Sequence, residues 1–328
     1  MSNREIRTEE EIRRTWQSSA PLVSICCITY NHEQYIEEAL DSFLMQVTTF
    51  PIEVLIHDDA STDATAEIIK KYEARYPRII KPIYQSENQH SIGVRINPIF
   101  NLPRATGAYL AMCEGDDYWC DPLKLQKQVD FMETHSEYTV CFHNSFNLDT
   151  HGNKVMFSNI AEAQDYGLED LLERNLANTC TALYRNLHIR LPEKLTDIAF
   201  GDWTVHLLHA EHGKIRYLPD VMSVYRIHDT GVWSQRDRID RVVKTVDMMQ
   251  KMDRYFEGKY HFQISKTIAK FNMYIAYEHI RNNDFKTAKI FYDRAKAAGM
   301  VSFSRATKIH LKMLGRILAG MFSRHSGS

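Results

Sequence analysis

The segment Leu110-Ala-Met-Cys-Glu-Gly-Asp-Asp-Tyr-Trp119 runs an apolar, strand-like stretch straight into three carboxylates within four positions, Glu114, Asp116 and Asp117. Like charges this close repel unless protons or a cation intervene. Ligands that offer only oxygen suit a hard divalent ion, Mg²⁺ or Mn²⁺, holding a phosphorylated substrate. The plainer reading is a solvated loop capping the next helix. Against it, Asp121-Pro122 already offers a cap and a first-turn proline for the amphipathic stretch 123–132, which leaves the earlier acids without that task.

The pattern upstream supplies a scaffold for such a site. Leu22 to Thr29 is a continuous apolar run, and Asn31-His-Glu-Gln34 reads as a helix start with Asn31 as the cap. The unit then repeats, with a buried strand over 52–56, a turn from Asp58 to Asp63, a helix over 64–76 stopped by Pro77, and a short strand over 79–84. An irregular polar stretch, 85–103, precedes the strand that delivers the acids. Strands alternating with helices predict a mostly parallel sheet, whose ligands bind outside the carboxyl ends of the strands. Tyr30, Asp58, Asp59 and residues 114–117 all lie at such ends, so they should converge on one crevice.

Beyond about residue 236 the strand pattern stops, and 242–256, 264–282 and 285–298 read as helices. A last segment, 304–324, carries Arg305, Lys308, Lys312, Arg316 and Arg324 with no acid, interleaved with apolar residues. It suits either peripheral contact with an anionic membrane or packing on the body or on a second copy of the chain as a homo-oligomer.

Composition removes some classes. With 44% hydrophobic and 25% charged residues in 328, the chain is an ordinary globular sequence, and a net charge of -2 argues against a nucleic-acid binder, which needs a basic surplus. The six cysteines form no C-x-x-C pair and mostly sit in apolar runs, which fits a reducing compartment. No stretch approaches the ~18 apolar residues of a membrane span. A cytoplasmic protein is expected, with at most peripheral contact at the inner face of the cell membrane.

Three segments in register, Val23-Ser-Ile-Cys-Cys-Ile-Thr-Tyr-Asn-His32, Val54-Leu-Ile-His-Asp-Asp-Ala-Ser-Thr-Asp63 and Glu114-Gly-Asp-Asp-Tyr-Trp119, resemble a family 2 glycosyltransferase of the GT-A fold. The resemblance covers about residues 21–235, between a helical extension (1–20) and a helical C-terminal region (236–328). It implies an α/β fold with a doubly wound, mostly parallel sheet flanked by helices, and an all-helical C-terminal appendage. It also implies a donor site of Thr29, Tyr30, Asp58, Asp59, Glu114 and Asp116, with Tyr30 stacking on a pyrimidine and one carboxylate of Asp58/Asp59 accepting its N3 proton. That pairing favours a UDP-sugar, or less favourably a dTDP-sugar. The implied metal set for Mn²⁺ or Mg²⁺ is Asp116, Asp117 and His228, with Asp117 as the principal ligand, Asp116 near the ribose, and Arg226 and Trp233 assisting closure of a loop. Glu114 stands where the family usually has aspartate. Asp202, in Phe200-Gly-Asp-Trp203, resembles the late acid that serves as catalytic base. The activity implied is inverting, metal-dependent transfer of a hexose to a glycan or lipid-linked glycan, in bacterial surface polysaccharide synthesis.

Plainer roles stand beside these. Asp202 also fits a simple cap on the helix that follows, His206, His209 and His212 fit support for Asp202 better than a zinc site, and Arg95 and Arg104 fit a solvated surface better than a phosphate site. Two rival functions are a nucleotidyltransferase and a non-catalytic binding module on the same fold. The first should show a glycine-rich basic loop after the first strand, where this chain has Tyr-Asn-His-Glu. The second should tolerate Asp202→Asn without any loss.

Overall fold

Strands β1 (Val23–Thr29) and β2 (Ile52–Asp58) are buried along almost their whole length. Strands covered on both faces carry no polar alternation, which is why their sequences read as unbroken apolar runs. The computed structural model describes residues 7–298 apart from 191, 196, 197, 199, 200, 230 and 232–236, together with Gly315. The segment 304–324, Trp233 and Phe200 therefore lie outside the described residues, Gly315 excepted.

The chain forms two units, one made of Met1–Leu168, Asn175–Leu191 and Asp202–Asp229, the other of Glu169–Arg174, Pro192–Gly201 and Thr230–Ser328. The first holds a mixed sheet. Its parallel block comprises β1, β2, β3 (Ile80–Tyr84) and β4 (Tyr109–Met112), in the order β3-β2-β1-β4. The winding reverses between β1 and β4, which puts a crevice at their carboxyl ends. The sheet continues through β9 (Leu183–Arg185), β6 (Tyr138–Leu148), β10 (Lys214–Arg226) and β5 (Tyr118–Trp119); β7 (Lys154–Met156) pairs with β6, and β8 (Gln164–Tyr166) with β10. β6 and β10 run parallel, while β5 and β9 pair antiparallel with their neighbours.

Helices α2 (Ile36–Leu44), α3 (Thr65–Arg75) and α4 (Lys124–Thr134) bury one stripe each in a shared core. Ile36, Leu40 and Phe43 of α2, Ile69 and Tyr72 of α3, and Leu125, Val129 and Met132 of α4 meet the sheet residues there. Two further helices, α1 (Glu9–Arg13), closed by a Thr8/Glu11 capping box, and α6 (Asp202–Ala210), complete this unit.

The described residues of the second unit form helices α7 (Arg238–Tyr255), α8 (His261–Arg281) and α9 (Phe285–Ala297). Asp237 and Asp284 cap α7 and α9 by accepting the N–H of Ile239 and Thr287. Asn283 takes φ +60° between α8 and α9, a conformation asparagine tolerates better than most residues. Thr267 of α8 donates to the carbonyl of Leu172 on α5 (Leu168–Glu173), at 2.7 Å.

One residue of the first unit opposes the fold that buries it. Lys124 is fully buried, its Nζ has no hydrogen-bond partner, and it sits 4.0 Å from the centre of the Trp119 ring. Burial pushes the amine down to about 8 from its ordinary 10.5. The unfolded chain therefore binds the proton more tightly, so stability falls as pH drops through that window and the full penalty applies below about 8. Lys124→Met should raise stability at pH 7 by roughly 2–3 kcal/mol in denaturant unfolding, with the gain shrinking as pH approaches 10.5. A loss at pH 7 would instead mean that the contact with Trp119 outweighs desolvation.

Candidate active site

The acidic loop is fastened along the end of β1. Cys113 N–H donates to the carbonyl of Cys26 at 3.2 Å and Gly115 N–H to that of Ile28 at 2.9 Å, so the ladder runs past the last paired strand residue. A Cβ on Gly115 would lie 2.7 Å from Thr29 Oγ1 and 2.9 Å from Ile36 Cδ1, so only glycine lets the loop lie this close. Where the loop leaves, β5 pairs with β10, Tyr118 opposite Val224. Entry and exit are thus both set by backbone pairing.

The loops after β1 and β2 are knotted together side chain to backbone. Asn31 adopts φ +54°, its amide oxygen accepts the Thr62 N–H at 2.8 Å, and its own N–H donates to Ser61 Oγ at 2.9 Å. Glu33 N–H donates to Asp63 Oδ2 at 3.0 Å, and Glu33 Oε2 accepts the Ala64 N–H at 2.9 Å. Asn31 is therefore not the helix cap its position suggests: α2 starts at Ile36, its cap residue is Tyr35, and no side chain caps it. The polarity of Asn31 is spent across the crevice because the neighbouring loop offers it bare N–H groups there. Asp121 is not a cap either: its Oδ1 accepts the Leu123 N–H at 2.8 Å, but α4 starts at Lys124, its cap residue is Leu123, and no side chain caps it.

Asp58 lies opposite Thr29 at the ends of β2 and β1. Burial raises its pKa, and Ser61 Oγ and N–H donate to its two oxygens. Asp59 is committed elsewhere, accepting the backbone N–H groups of Gln89 at 2.8 Å and His90 at 3.0 Å, with His57 Nε2 3.4 Å away. It thus anchors the start of the irregular stretch, whereas both oxygens of Asp58 are held inside its own turn by Ser61. Thr29 Oγ1 is buried without a hydrogen-bond partner, and Tyr30 beside it is 42% exposed.

Glu114, Asp116 and Asp117 bring one carboxylate oxygen each within 4.8 Å of one another, the one such group of metal-binding side chains among the described residues. Asp116 Oδ2 lies 2.9 Å from His228 Nε2 and 3.7 Å from His32 Nε2. Asp117 is fully buried; its Oδ1 accepts the Arg226 N–H at 2.8 Å, and its Oδ2 has no hydrogen-bond partner. The Arg226 guanidinium donates to the carbonyl of Asp116 and to Glu38, and packs over the rings of Tyr118 and Tyr35. Arg226 is therefore a staple on the acidic loop.

Burial, then Asp116 and Asp202, pushes Glu114 up to about 8, and burial with Asp116 and Glu114 raises Asp117 well above the carboxylate range. Asp116 goes the other way: burial would raise it, but the His228 hydrogen bond and the charges of His32 and His228 more than offset that. The negative charge thus settles on Asp116. Burial lowers the His32 pKa, against the pull of Asp116. One ionised carboxylate, two acids that keep protons for want of a counter-charge, a buried oxygen without a partner and an adjacent imidazole together fit a divalent cation.

Asp202 opens α6, and Thr179 Oγ1 donates to its Oδ2 at 3.3 Å. One turn on, the buried His206 shares a 2.6 Å hydrogen bond with the hydroxyl of Tyr184, and burial holds both His206 and His209 low, His209 at about 4. Arg104 donates to the carbonyls of Lys81 and Ile56, so it clamps strands and is neither a phosphate ligand nor merely solvated. Two contributors escaped the sequence reading, His32 and the Tyr35–Glu38 cradle of Arg226. The signal for the first was available, a histidine three residues past the end of β1 and two past Tyr30.

Residues 24–191 match the family model described as glycosyl transferase family 2. An uncharacterized Mycobacterium tuberculosis protein, Rv1520, is 46% identical over 214 residues, 64% of this chain and 60% of the relative. A Haemophilus influenzae protein described as an uncharacterized glycosyltransferase is 30% identical over 224 residues, 66% of this chain and 83% of its own length. This chain therefore spans about 60% of the length of its mycobacterial relative. Among solved structures, Staphylococcus aureus TarS 1-349 in complex with UDP-GlcNAc superposes with TM-score 0.54 at 18% identity, covering 86% of this chain and 93% of that one. The mannosyltransferase PcManGT from Pyrobaculum calidifontis, in complex with GDP-Man and Mn²⁺, superposes with TM-score 0.52 at 16% identity, covering 96% and 92%. These likenesses show the fold, the GT-A type expected from the three motifs.

The proton placement has a measurable consequence. Glu114 binds its proton more tightly folded than unfolded, so its contribution to stability is complete below about 4.5 and lost as pH rises through about 8. Asp117 acts in the same sense. The melting temperature of chelator-treated protein should fall over that window, Glu114→Gln should flatten part of the slope, and excess Mn²⁺ should restore stability at pH 8. A flat profile in chelator would refute the charge distribution.

Proposed function

Because the chain belongs to glycosyl transferase family 2, we propose that it transfers a hexose from a UDP-sugar to a hydroxyl of a glycan or lipid-linked glycan, with inversion at the anomeric carbon. The observation that carries this reading is the set of acids at the switch point. Glu114, Asp116 and Asp117 gather beside the ends of β1 and β2, and Asp202 is near enough to raise the Glu114 pKa.

Each residue has a task that its surroundings support. Tyr30, exposed at the end of β1, offers a face on which a base can stack, and Asp58 offers a carboxylate oxygen to the N3–H of uracil. Thr29 Oγ1, buried and without a partner, lies under the same corner. Asp116, Asp117 and His228 would hold Mn²⁺ or Mg²⁺, which when bound offsets the charge of the donor diphosphate. Glu114, whose pKa both Asp116 and Asp202 raise, would take a ribose or sugar hydroxyl. Asp202 takes the proton of the attacking acceptor hydroxyl; Thr179 orients it, and the His206–Tyr184 pair stiffens the helix turn behind it. The nucleotide-sugar class accords with the ligands bound by TarS and PcManGT. The preference for uridine over cytidine rests on Asp58, since cytosine N3 carries no proton to donate to a carboxylate.

Two measurements test this. UDP with Mn²⁺, at ~100 times its dissociation constant, should stabilise the protein by about 2.7 kcal/mol, GDP and CDP by less, and Asp58→Asn should erase the difference between nucleotides. Asp202→Asn should lower turnover of a UDP-sugar by about 10²–10⁴-fold while keeping the UDP-dependent shift. Full turnover in Asp202→Asn would remove the base assignment, and an equal shift with every nucleotide would remove the uracil assignment.

A further inference from the structure

Near Asp202 stand two polar side chains, Tyr225 and Asn147, whose hydroxyl and amide N–H donate to no other described residue. The ladders set Tyr225 of β10 opposite Asn147 of β6, and Asn147 opposite Val155 of β7, so the three side chains form a row on one face of the sheet. That face adjoins the acids. Asn178 Nδ2 donates to Asn147 Oδ1 and Ser145 Oγ, both at 3.0 Å, and the next residue, Thr179, donates to Asp202. Burial, then the charges of Asp117, Glu114, Asp116 and Asp202, raise the Tyr225 pKa, so the phenol keeps its proton. At the outer end of the row the chemistry changes. Val155 is 65% exposed, and Phe157, two residues on and on the same face, is 37% exposed. The backbone beneath them is fixed: Phe157 N–H donates to the Ser145 carbonyl at 2.8 Å, and the Asn144 side chain exchanges hydrogen bonds of 2.8 and 3.0 Å with the Ser158 backbone. Two apolar side chains exposed on a fixed edge strand make a wall beside the polar floor.

We propose that this row is the acceptor subsite, and that the acceptor is a sugar carrying an apolar aglycone, as in a lipid-linked glycan. The Tyr225 hydroxyl and the Asn147 amide hold hydroxyls of the acceptor sugar while a further hydroxyl meets Asp202, and Val155 and Phe157 cover the first carbons of the aglycone. The inference rests on the role proposed for Asp202 and narrows the acceptor named with it. Two strand spacings, ~10 Å, separate Tyr225 from Val155, which suits one sugar ring with its aglycone beyond it. A longer free glycan would set hydroxyls against Val155 and Phe157, which cannot hydrogen-bond them, whereas an alkyl chain there only sheds water.

The test measures binding of small glycosides to the full chain loaded with UDP and Mg²⁺, by saturation-transfer NMR below the micellar range. The probes are the octyl and methyl β-glycosides of glucose, galactose and N-acetylglucosamine. At least one octyl glycoside should bind about tenfold or more tightly than its methyl counterpart. Val155→Ser combined with Phe157→Ser should bring the octyl glycoside down to the methyl level, whereas Tyr225→Phe and Asn147→Ala should each weaken both by about 2–10-fold. The UDP-dependent rise in melting temperature reports an intact donor site in every variant, and Val155→Ser alone, at so exposed a position, gives part of the first effect should the double variant not fold. Equal binding of octyl and methyl glycosides, or an octyl advantage that survives the serine changes, would overturn the apolar aglycone. Binding of no glycoside beside a normal UDP shift would overturn the subsite and leave the donor site standing. Absence of the UDP shift would strike the proposed function, and the subsite with it.

Discussion

Mutual repulsion among three carboxyl groups is the interaction to which the carboxyl edge of this sheet answers. Their oxygens come within 4.8 Å, in a setting where burial already disfavours charge. Fully ionised, such a cluster would spring apart. It is held by parallel strand pairing on one side, by β5 and Arg226 on the other, and by histidine against the one carboxylate that stays ionised. The fold thus holds in place, by rigid backbone, a charge that a small cation would neutralise, which is the preorganisation that phosphate-handling sites need.

That rigidity originates in the parallel block. Because β1 is central and paired on both sides, the direction and depth of its last residues are fixed by ladders to β2 and β4, and α2, α3 and α4 close one face. Gly115 can then lie almost on Thr29, and the acids follow at a set height. Buried thiols, Cys27, Cys113 and Cys180, fill the space behind the cluster, and burial holds each well above its ordinary pKa. The wall at the back of the site therefore contributes volume without adding charge.

Legibility in the sequence tracks the range of the interactions involved. The strands, the helices of the second unit and the acidic residues could be read because apolar runs, helical periodicity and clustered charge are local signals. Asn31 was misread because its partners, Ser61 and Thr62, lie 30 and 31 residues away and compete with a local cap that looks equally good. Asp58 and Asp59 look equivalent in sequence, and only the N–H groups of Gln89 and His90 separate them. Arg226 and His228 reach the acids from more than a hundred residues downstream. Lys124 reads as an ordinary surface residue at a helix start, and its burial follows from the packing of Trp119 over it.

The knot between Asn31, Glu33, Ser61, Thr62, Asp63 and Ala64 has a consequence for how such a chain can change over time. Loops at strand ends usually accept insertions singly, which is how one scaffold acquires many specificities. Here the two loops share their hydrogen bonds, so a residue added to either strips partners from both. Variation in length is channelled to places such as the exposed turn after β6, where Asp149 satisfies the turn by itself through His151 and Asn153. The two strand-end loops form a single inheritable part, to be transplanted or replaced only as a pair.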